Sequence, residues 1–374
     1  MNAQETLYAM ALSRAPRINL INQRLLVNAL GSATAVFEHR HHILDALPDA
    51  SPALAEALAG LDTLLPRAEE ELEFAQKSHI QCLGINDDAY PSRLRECPDA
   101  PILLYYLGQA NLNRLQVISV VGTRHITEYG KDLCRDFIRD LSQLCPDTLV
   151  VSGLAYGVDV HTHRAALDNG MHTAGVLAHG LDQIYPRMHK QTAAQMVQQG
   201  GLITEFMSRT NADKRNFVQR NRIVAGLSDA VVVVESAYKG GSLITAEIAD
   251  SYHRDVFTFP GRVRDEYSAG CNELIRSHRA QLITCAEELV QALGWVQEEK
   301  RRKDLKNGIQ QQLFPDLNED EQKVVRSLQG SDSKQINIIA IETGIPIGML
   351  SSILFTLEMK GIIKMMNGGT YRLL

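Results

Sequence analysis

The chain has 374 residues, of which 45% are hydrophobic and 22% are charged, and its formal net charge is −6. These proportions are typical of globular proteins and exclude a chain that is disordered along its whole length. The negative net charge also excludes a protein that coats nucleic acid through a uniformly positive surface, so any polyanion site has to be local. Because the chain is too long for one ordinary domain, we expect two or three.

The six cysteines are scattered, with no C-x-x-C pair and no histidine at the spacing of a zinc ligand. This pattern favours reduced, buried thiols over a disulfide framework, and it predicts no metal site. The first residues lack the basic and apolar regions of a secretory signal, and the longest apolar runs, such as 230–234, are too short to span a bilayer. We therefore expect a cytoplasmic protein without a membrane segment.

Residues 1–78 are predicted to form a small helical module of the SAM-like or helix-hairpin-helix-like kind. Apolar residues recur at helical spacing in 7–12 and 25–30, and Gly31-Ser32 supplies a helix stop followed by a helix start. Few cations flank this turn, and the acidic stretch 69–73 follows it. We therefore expect packing or protein contact from this part rather than DNA binding.

From 79 to 295 the pattern changes to short, β-branched apolar runs that alternate with helical segments. This alternation is typical of a parallel sheet that is buried on both faces, and it predicts an α/β domain of the Rossmann-like class. The predicted strands are 117–121, 148–151, 173–177, 201–204, 231–234, 256–259 and 281–284. The predicted helices lie near 128–144, 158–169, 188–199, 216–227, 243–253, 272–279 and 286–293.

Residues 296–316 are predicted to be a polar linker, and 317–374 are predicted to form a winged-helix domain. The tail shows three helical segments and then two strands split by Asn367-Gly368, which is a strong hairpin-turn signal. The start of its presumed recognition helix, 347–354, has no Lys, Arg or Asn that would reach base edges. We therefore expect a protein-contact or regulatory role for this domain rather than sequence-specific duplex binding.

Loops that follow the predicted strands are rich in residues that suit phosphate. In an open parallel sheet these loops meet at the carboxyl edge, where helix N-termini offer free amides and a partial positive charge. Gly lets an anion approach the backbone, Ser and Thr add hydroxyls, and Arg adds a forked cation. The predicted DNA- or phosphate-binding residues are Gly122, Thr123, Arg124, Ser152, Gly153, Ala155, Arg187, Lys190, Arg220, Asn221, Arg222, Lys239, Gly240, Gly241, Ser242 and Thr245.

Two further observations bear on the ligand. No G-x-G-x-x-G follows the first predicted strand and no P-loop motif occurs, so nicotinamide, flavin and P-loop ATP chemistry are disfavoured and we predict no cofactor. Aromatic residues near the loops are either stacking platforms for the bases of a single strand or part of the core. These residues are Tyr156, Tyr185, Phe217 and Tyr238.

These motifs, in this order, resemble the DprA/Smf family of DNA-processing proteins over residues 81 to about 290. The matching segments are Tyr90-Pro91-x-x-Leu94, Pro101, Tyr106-x-Gly108, Val121-Gly122-Thr123-Arg124-x-x-Thr127-x-Tyr129-Gly130, Ser152-Gly153-x-Ala155-x-Gly157-x-Asp159-x-x-x-His163, Arg220-Asn221-Arg222-Ile223, Gly241-Ser242-Leu243-Ile244-Thr245-Ala246 and Pro260-Gly261. There are two departures: Arg187 stands where many relatives have Lys, and His278-Arg279-Ala280 replaces the usual Gly-Ala.

The resemblance implies a protein that binds single-stranded DNA and is not an enzyme. It implies that the protein protects incoming strands during natural transformation, helps to load the RecA recombinase and forms a homodimer. It also implies that Arg124 is a central phosphate ligand.

The alternative is a nucleotide phosphoribohydrolase of the lysine-decarboxylase-like group. Residues 240–247 partly match the P-G-G-x-G-T-x-x-E signature of that group, but Lys239 replaces its Pro, Leu243 its third Gly and Ile244 its Thr. An enzyme of this kind would depend on Glu247.

Overall fold

A computed structural model describes residues 1–48, 51–295, 317–328, 334–366 and 370–373. The chain divides into two compact units, Met1–Glu299 and Lys300–Leu374. The predicted linker at 296–316 lies outside the described residues.

The first unit begins with helices that contain the predicted stop and restart. These helices are α1 (Ala3–Ser13), α2 (Leu20–Leu30), α3 (Ala33–Glu38), α4 (Ile43–Ala46), α5 (Pro52–Ala59) and α6 (Leu65–Lys77). Gly31 ends α2 in the left-handed conformation, with φ of 88°, which glycine adopts without steric cost. The Ser32 hydroxyl then accepts a hydrogen bond from the Ala35 amide and so caps α3.

Nine strands form one sheet in the order β1-β2-β6-β5-β4-β3-β7-β8-β9. The strands are β1 (Gln81–Gly84), β2 (Leu103–Gly108), β3 (Val117–Val121), β4 (Leu149–Ser152), β5 (Thr173–Val176), β6 (Gly201–Thr204), β7 (Ala230–Val233), β8 (Asp255–Thr258) and β9 (Gln281–Leu282). The seven strands from β3 to β9 are parallel and confirm the predicted Rossmann-like core. β1 and β2 were not predicted, and they extend the sheet beyond β6 with antiparallel pairing.

Helices cover both faces of this sheet. They are α7 (Ser92–Glu96), α8 (Glu128–Leu144), α9 (Val158–Asp168), α10 (Lys190–Gln199), α11 (Lys214–Leu227), α12 (Gly241–Ser251), α13 (Ala269–Arg276) and α14 (Ala286–Ala292). Ile118 and Val120 of β3 pack in the same hydrophobic cluster as Phe137 of α8, whereas Val117 and Val121 belong to the cluster on the other face. Alternation with both faces buried is what an interior parallel strand requires.

The strand order reverses at β3. From β3 the chain builds outwards through β4, β5 and β6 on one side, and it then returns to place β7, β8 and β9 on the other. Loops that leave β3 and β7 therefore diverge at the carboxyl edge, and a crevice opens between them.

The N-terminal helices share a core with the sheet. Met10 of α1, Ala75 of α6 and Leu104 of β2 belong to one buried cluster. The predicted boundary at residue 78 therefore marks a change from helices to strands within one compact unit.

The second unit contains α15 (Glu319–Leu328), α16 (Ile336–Thr343) and α17 (Ile347–Met359). Its strands β10 (Lys334–Gln335), β11 (Ile363–Met366) and β12 (Thr370–Leu373) form an antiparallel sheet in the order β10-β12-β11. The three helices and two later strands agree with the predicted elements, whereas β10 was not foreseen. The predicted turn at Asn367-Gly368 lies outside the described residues, and the winged-helix assignment stays a prediction.

Across the described ranges, no single helix is long and apolar enough to cross a membrane. Among the described helices, α16 and α17 would be long and apolar enough if taken together, and they are bent by 107° at the break between them.

Candidate nucleic-acid interface

A cleft of about 900 Å³ opens at the carboxyl edge of the sheet, beside the reversal of strand order. It is lined by loops that follow β3, β4 and β7 and by α11 and the start of α12. Most of the predicted site residues meet here: Gly122, Thr123, Arg124, Gly153, Ala155, Arg220, Asn221, Lys239, Gly240, Gly241, Ser242 and Thr245.

The loop after β3 is held from two sides. The Thr123 amide donates to the carbonyl oxygen of Glu235 at 2.7 Å, and the Val158 amide donates to the carbonyl oxygen of Thr123 at 3.1 Å. A Cβ added at Gly122 would lie 2.4 Å from the Val158 side chain, so the close approach requires glycine. These contacts fix the backbone that presents Arg124.

Arg124 is an exposed cation at the mouth of the cleft. Its guanidinium carbon lies 4.8 Å from the centroid of the Phe217 ring, a cation–π contact that orients the side chain. Within the described part of the chain, no carboxylate lies within ion-pair distance of it. The charge of Arg124 is therefore available to a ligand.

The cleft carries an excess of positive charge. Lys214 and Lys239 are exposed and, like Arg124, have no acidic partner among the described residues. Among the described lining residues, the one exposed acid is Glu266. A molecule with a net charge of −6 thus concentrates cations at one edge of its sheet, which attracts anions locally.

The first turn of α12 supplies neutral donors. Gly240 precedes the helix, and no side chain caps it. The Ser242 hydroxyl donates to the Ser236 hydroxyl at 2.8 Å and so does not cap the helix. The Gly241 and Ser242 amides lie in the first turn, where amides have no acceptor within the helix, and they are available as donors to a ligand. A helix N-terminus with free amides favours an anion.

Arg220 lines the cleft and supports its floor. It is 4% exposed, and its Nη1 donates to the carbonyl oxygens of Gly153, at 2.6 Å, and Val176. The Asp159 carboxylate accepts from the amides of Gly153 and Ala155, both at 3.2 Å. Burial lowers the pKa of Arg220 to about 10, although the Asp159 carboxylate opposes this, so the guanidinium stays charged at neutral pH. These hydrogen bonds give Arg220 a role in positioning this loop, and a phosphate contact from Arg220 stays a prediction.

Two further predicted ligands lie outside the cleft. Ser152 is fully buried, and its hydroxyl donates to the carbonyl oxygen of Val120 at 2.6 Å. Arg222 is 5% exposed and forms an ion pair with Glu205, with Asp99 at 4.0 Å. Residues two apart on a helix point about 200° apart, so Arg222 faces away from Arg220 and the cleft.

Arg187 and Lys190 are exposed on the segment that follows β5, and they do not line the cleft. This segment nevertheless adjoins the cleft, because the Tyr185 and Phe217 rings lie 5.8 Å apart. A ligand role for Arg187 and Lys190 stays a prediction.

The candidate stacking residues are not core residues. Phe217 lines the cleft, and Tyr156, Tyr185 and Tyr238 are 41%, 45% and 61% exposed. The alternative that these tyrosines belong to the core is wrong.

Other residues of the cleft were missed. Lys214 and His125 line the cleft but were not among the predicted site residues, although His125 follows Arg124 directly. Glu266 and Tyr267 belong to the loop after β8, and the Pro260-Gly261 motif was the signal that could have found them.

Glu247, the residue on which the enzyme alternative depends, does not line the cleft. The Glu247 side chain is 55% exposed and pairs with Arg279 at 3.1 Å. In the residues that the structure covers, no group of three or more His, Cys, Asp or Glu is arranged to hold a metal ion.

The sequence profile of the family DNA recombination-mediator protein A matches residues 81–294. Protein Smf of Escherichia coli is 32% identical over 314 residues, which cover 82% of this chain and 80% of that protein. DNA processing protein DprA of Streptococcus pneumoniae is 38% identical over 207 residues, which cover 55% of this chain and 72% of that protein.

Solved structures agree with these relatives. DNA processing protein A of Streptococcus pneumoniae matches with a TM-score of 0.66 and 31% identity over 77% of this chain and 97% of that chain. DNA processing protein A of Helicobacter pylori, whose single-stranded DNA binding mode has been described, matches with a TM-score of 0.52 and 29% identity over 58% of this chain and 97% of that chain. These relatives are DNA-processing and recombination-mediator proteins, and the phosphoribohydrolase alternative is not favoured. The parallel sheet, the cleft at its carboxyl edge and these matches together assign the chain to the DNA recombination-mediator protein A family.

Proposed function

We propose that this protein binds single-stranded DNA in the cleft at the carboxyl edge of its sheet. The observation that carries the proposal is that the uncompensated cations Arg124, Lys214 and Lys239 converge with the free amides of α12. Phosphate oxygens take strong, charge-assisted hydrogen bonds from arginine and lysine, and they are also bound at helix N-termini. The DNA-binding relative from Helicobacter pylori supports the same ligand.

The form of the cleft favours a single strand over a duplex. Its donors lie on separate loops around a crevice, and Phe217 lies beside Arg124 among them. A flexible strand can bend so that successive phosphates reach separate loops while its bases stack on aromatic rings. The proposed contacts of the strand are Lys214 and the predicted residues that line the cleft, with Arg187 and Lys190 on the adjoining segment. The predicted lining residues are Gly122, Thr123, Arg124, Gly153, Ala155, Arg220, Asn221, Lys239, Gly240, Gly241, Ser242 and Thr245.

The finer part of the proposal concerns the role in the cell. We propose that the protein is a cytoplasmic homodimer that protects incoming strands during natural transformation and helps to load RecA. Membership of the family supports this role. Sedimentation at graded concentrations tests the homodimer, and assembly of RecA on single-stranded DNA with and without the protein tests the loading role.

The central test is the variant Arg124→Ala. We expect its binding to a single-stranded oligonucleotide to weaken by about 1–3 kcal/mol of binding free energy, because a charge-assisted contact to phosphate is lost. The slope of log K against log salt should also become smaller by roughly 0.7 for each phosphate contact that is lost. Fluorescence anisotropy at several salt concentrations measures both quantities.

Arg135→Ala is the matched control. Arg135 is an exposed arginine of α8 that pairs with Asp132 and Asp136 and does not line the cleft. Its affinity and salt slope should equal those of the unchanged protein. Wild-type affinity in Arg124→Ala, or tighter binding of a duplex than of a single strand of equal length, would contradict the proposal.

A further inference from the structure

A second cleft, of about 920 Å³, adjoins the first at the loop that follows β8. Its walls are the start of α8, at 127–129, and the loop segments 260–262 and 264–268. Glu266 and Tyr267 line both clefts and therefore form a ridge between them.

Hydrogen bonds hold this ridge in place. The Ser236 amide donates to the carbonyl oxygen of Tyr267 at 2.6 Å. The Tyr129 hydroxyl donates to the carbonyl oxygen of Pro260 at 3.0 Å. On the side of the first cleft, the Tyr267 ring stacks with His125 at 6.1 Å between centroids. Tyr129 and Tyr267 are thus aromatic walls on a supported loop.

The charge of the second cleft differs from that of the first. The cations Arg262 and Arg264 and the acids Asp265 and Glu266 are all exposed, and none has an ion-pair partner in the described stretches of chain. The two positive charges and the two negative charges balance, and Glu128, which pairs with Lys131, also lines this cleft. The buried Glu235 carboxylate also lines this cleft and already accepts from the Thr127 amide and hydroxyl. A phosphate therefore finds no excess of positive charge here.

A nucleobase fits these surroundings better than a phosphate does. It is uncharged, it stacks on tyrosine rings, and its edge carries both donors and acceptors. Arginine side chains donate to base oxygens and ring nitrogens, and carboxylates accept from exocyclic amino groups.

We propose that the second cleft receives bases of the same strand whose phosphates lie in the first cleft. The strand passes over the ridge, and Tyr267 and Tyr129 supply the stacking surfaces. This inference rests on the proposed function, and it adds a site that contacts bases to the site that contacts the backbone.

The test compares Tyr267→Ala with the unchanged protein on two oligonucleotides of equal length, one with normal bases and one with abasic sites. Both carry the same phosphates. We expect the variant to lose about five- to 150-fold in affinity for the normal strand, because a stacking surface is lost, and to bind the abasic strand unchanged. Its salt slope should stay the same, since no phosphate contact is removed.

Two variants complete the design. Tyr129→Leu removes the other ring while keeping an apolar side chain, and it should show the same discrimination between the strands, which guards against misfolding of Tyr267→Ala. Val263→Ala is the control, because Val263 lies in the same loop, is 91% exposed and does not line either cleft.

Equal losses on both strands, or no loss on the normal strand for either tyrosine variant, would overturn the base site. A smaller salt slope in Arg262→Ala or Arg264→Ala would also overturn it, because the second cleft would then hold phosphates. Arg124→Ala, measured in parallel, separates the two proposals. If it weakens binding of both strands while the tyrosine variants do not discriminate, only the base site fails; if it weakens neither, the proposed function fails.

Discussion

At the scale of one residue, a substitution at Gly241 is expected to change ligand affinity without lowering stability. It is the first residue of α12, and a Cβ added there would meet no other atom within 4 Å. We expect Gly241→Ala to leave the free energy of unfolding unchanged or to raise it by up to about 1 kcal/mol, because alanine favours a helix over glycine. Affinity for single-stranded DNA should fall several-fold, because the methyl group obstructs the approach of a phosphate to the amides of this turn.

Urea unfolding and anisotropy measure the two effects of Gly241→Ala. Gly170→Ala is the reciprocal control: Gly170 also has free space around it, but its φ of 70° favours glycine. That variant should lose stability and keep its DNA affinity. Full affinity in Gly241→Ala would show that no phosphate approaches this turn.

The direction in which a side chain points was the least predictable property of the site. The phosphate-binding loops were found because Gly, Ser, Thr and Arg cluster after strands. Arg220 and Arg222 were grouped because they are neighbours in the chain, yet a helix turns them to opposite sides, and only Arg220 lies at the cleft. Ser152 is still part of β4, so its hydroxyl bonds within the sheet.

At the scale of elements, a buried carboxylate joins α6 to the segment after β6. Glu71 is 2% exposed and accepts from the Ser208 amide at 2.8 Å, the Ser208 hydroxyl at 2.5 Å and Arg67 at 2.9 Å. We expect Glu71→Ala to lower the free energy of unfolding by roughly 1–3 kcal/mol, because it leaves the Ser208 donors unpaired in the interior.

Urea unfolding checks this value against Glu70→Ala. Glu70 is the next residue along the chain, and its side chain is 53% exposed and pairs with Arg209. Exposed pairs contribute at most about 1 kcal/mol, so this control should change stability little. Equal losses in the two variants would show that Glu71 does not join the elements as described.

The regular elements of the parallel sheet were predictable, and its antiparallel edge was not. Each strand from β3 to β8 is a buried apolar run followed by a helix, which gives a strong pattern. β1 has only four residues, and Gln81 at its start is exposed, so it carries almost no apolar signal. β2 pairs with β6, nearly a hundred residues later, and local sequence does not encode that pairing.

For the molecule as a whole, the buried His163 links stability to pH. Burial lowers the pKa of His163 to about 3 from its usual 6.5, with smaller contributions from Arg220 and His189. Between these values the unfolded chain binds a proton that the folded protein does not bind. Stability therefore falls as the pH decreases from about 6.5 towards 3, by up to about 1.4 kcal/mol per pH unit from this group.

The variant His163→Gln should be less sensitive to acid than the unchanged protein, and urea unfolding at pH 7 and pH 5 measures the difference. Burial raises the pKa values of the Asp159 and Glu205 carboxyls, so these groups act in the opposite direction, and only the comparison of variants isolates the histidine. The exposed His39→Gln variant is the control. Identical pH dependence in all three proteins would contradict the assignment.

The core that the N-terminal helices share with the sheet limits how the protein can be shortened. Removing residues 1–78 would take away α1 and α6, which pack against β1 and β2, and would leave the apolar side chains of that edge in water. Such a fragment would expose an apolar patch of the kind that drives aggregation. Work on the DNA-binding sheet alone therefore has to retain the helices that precede it.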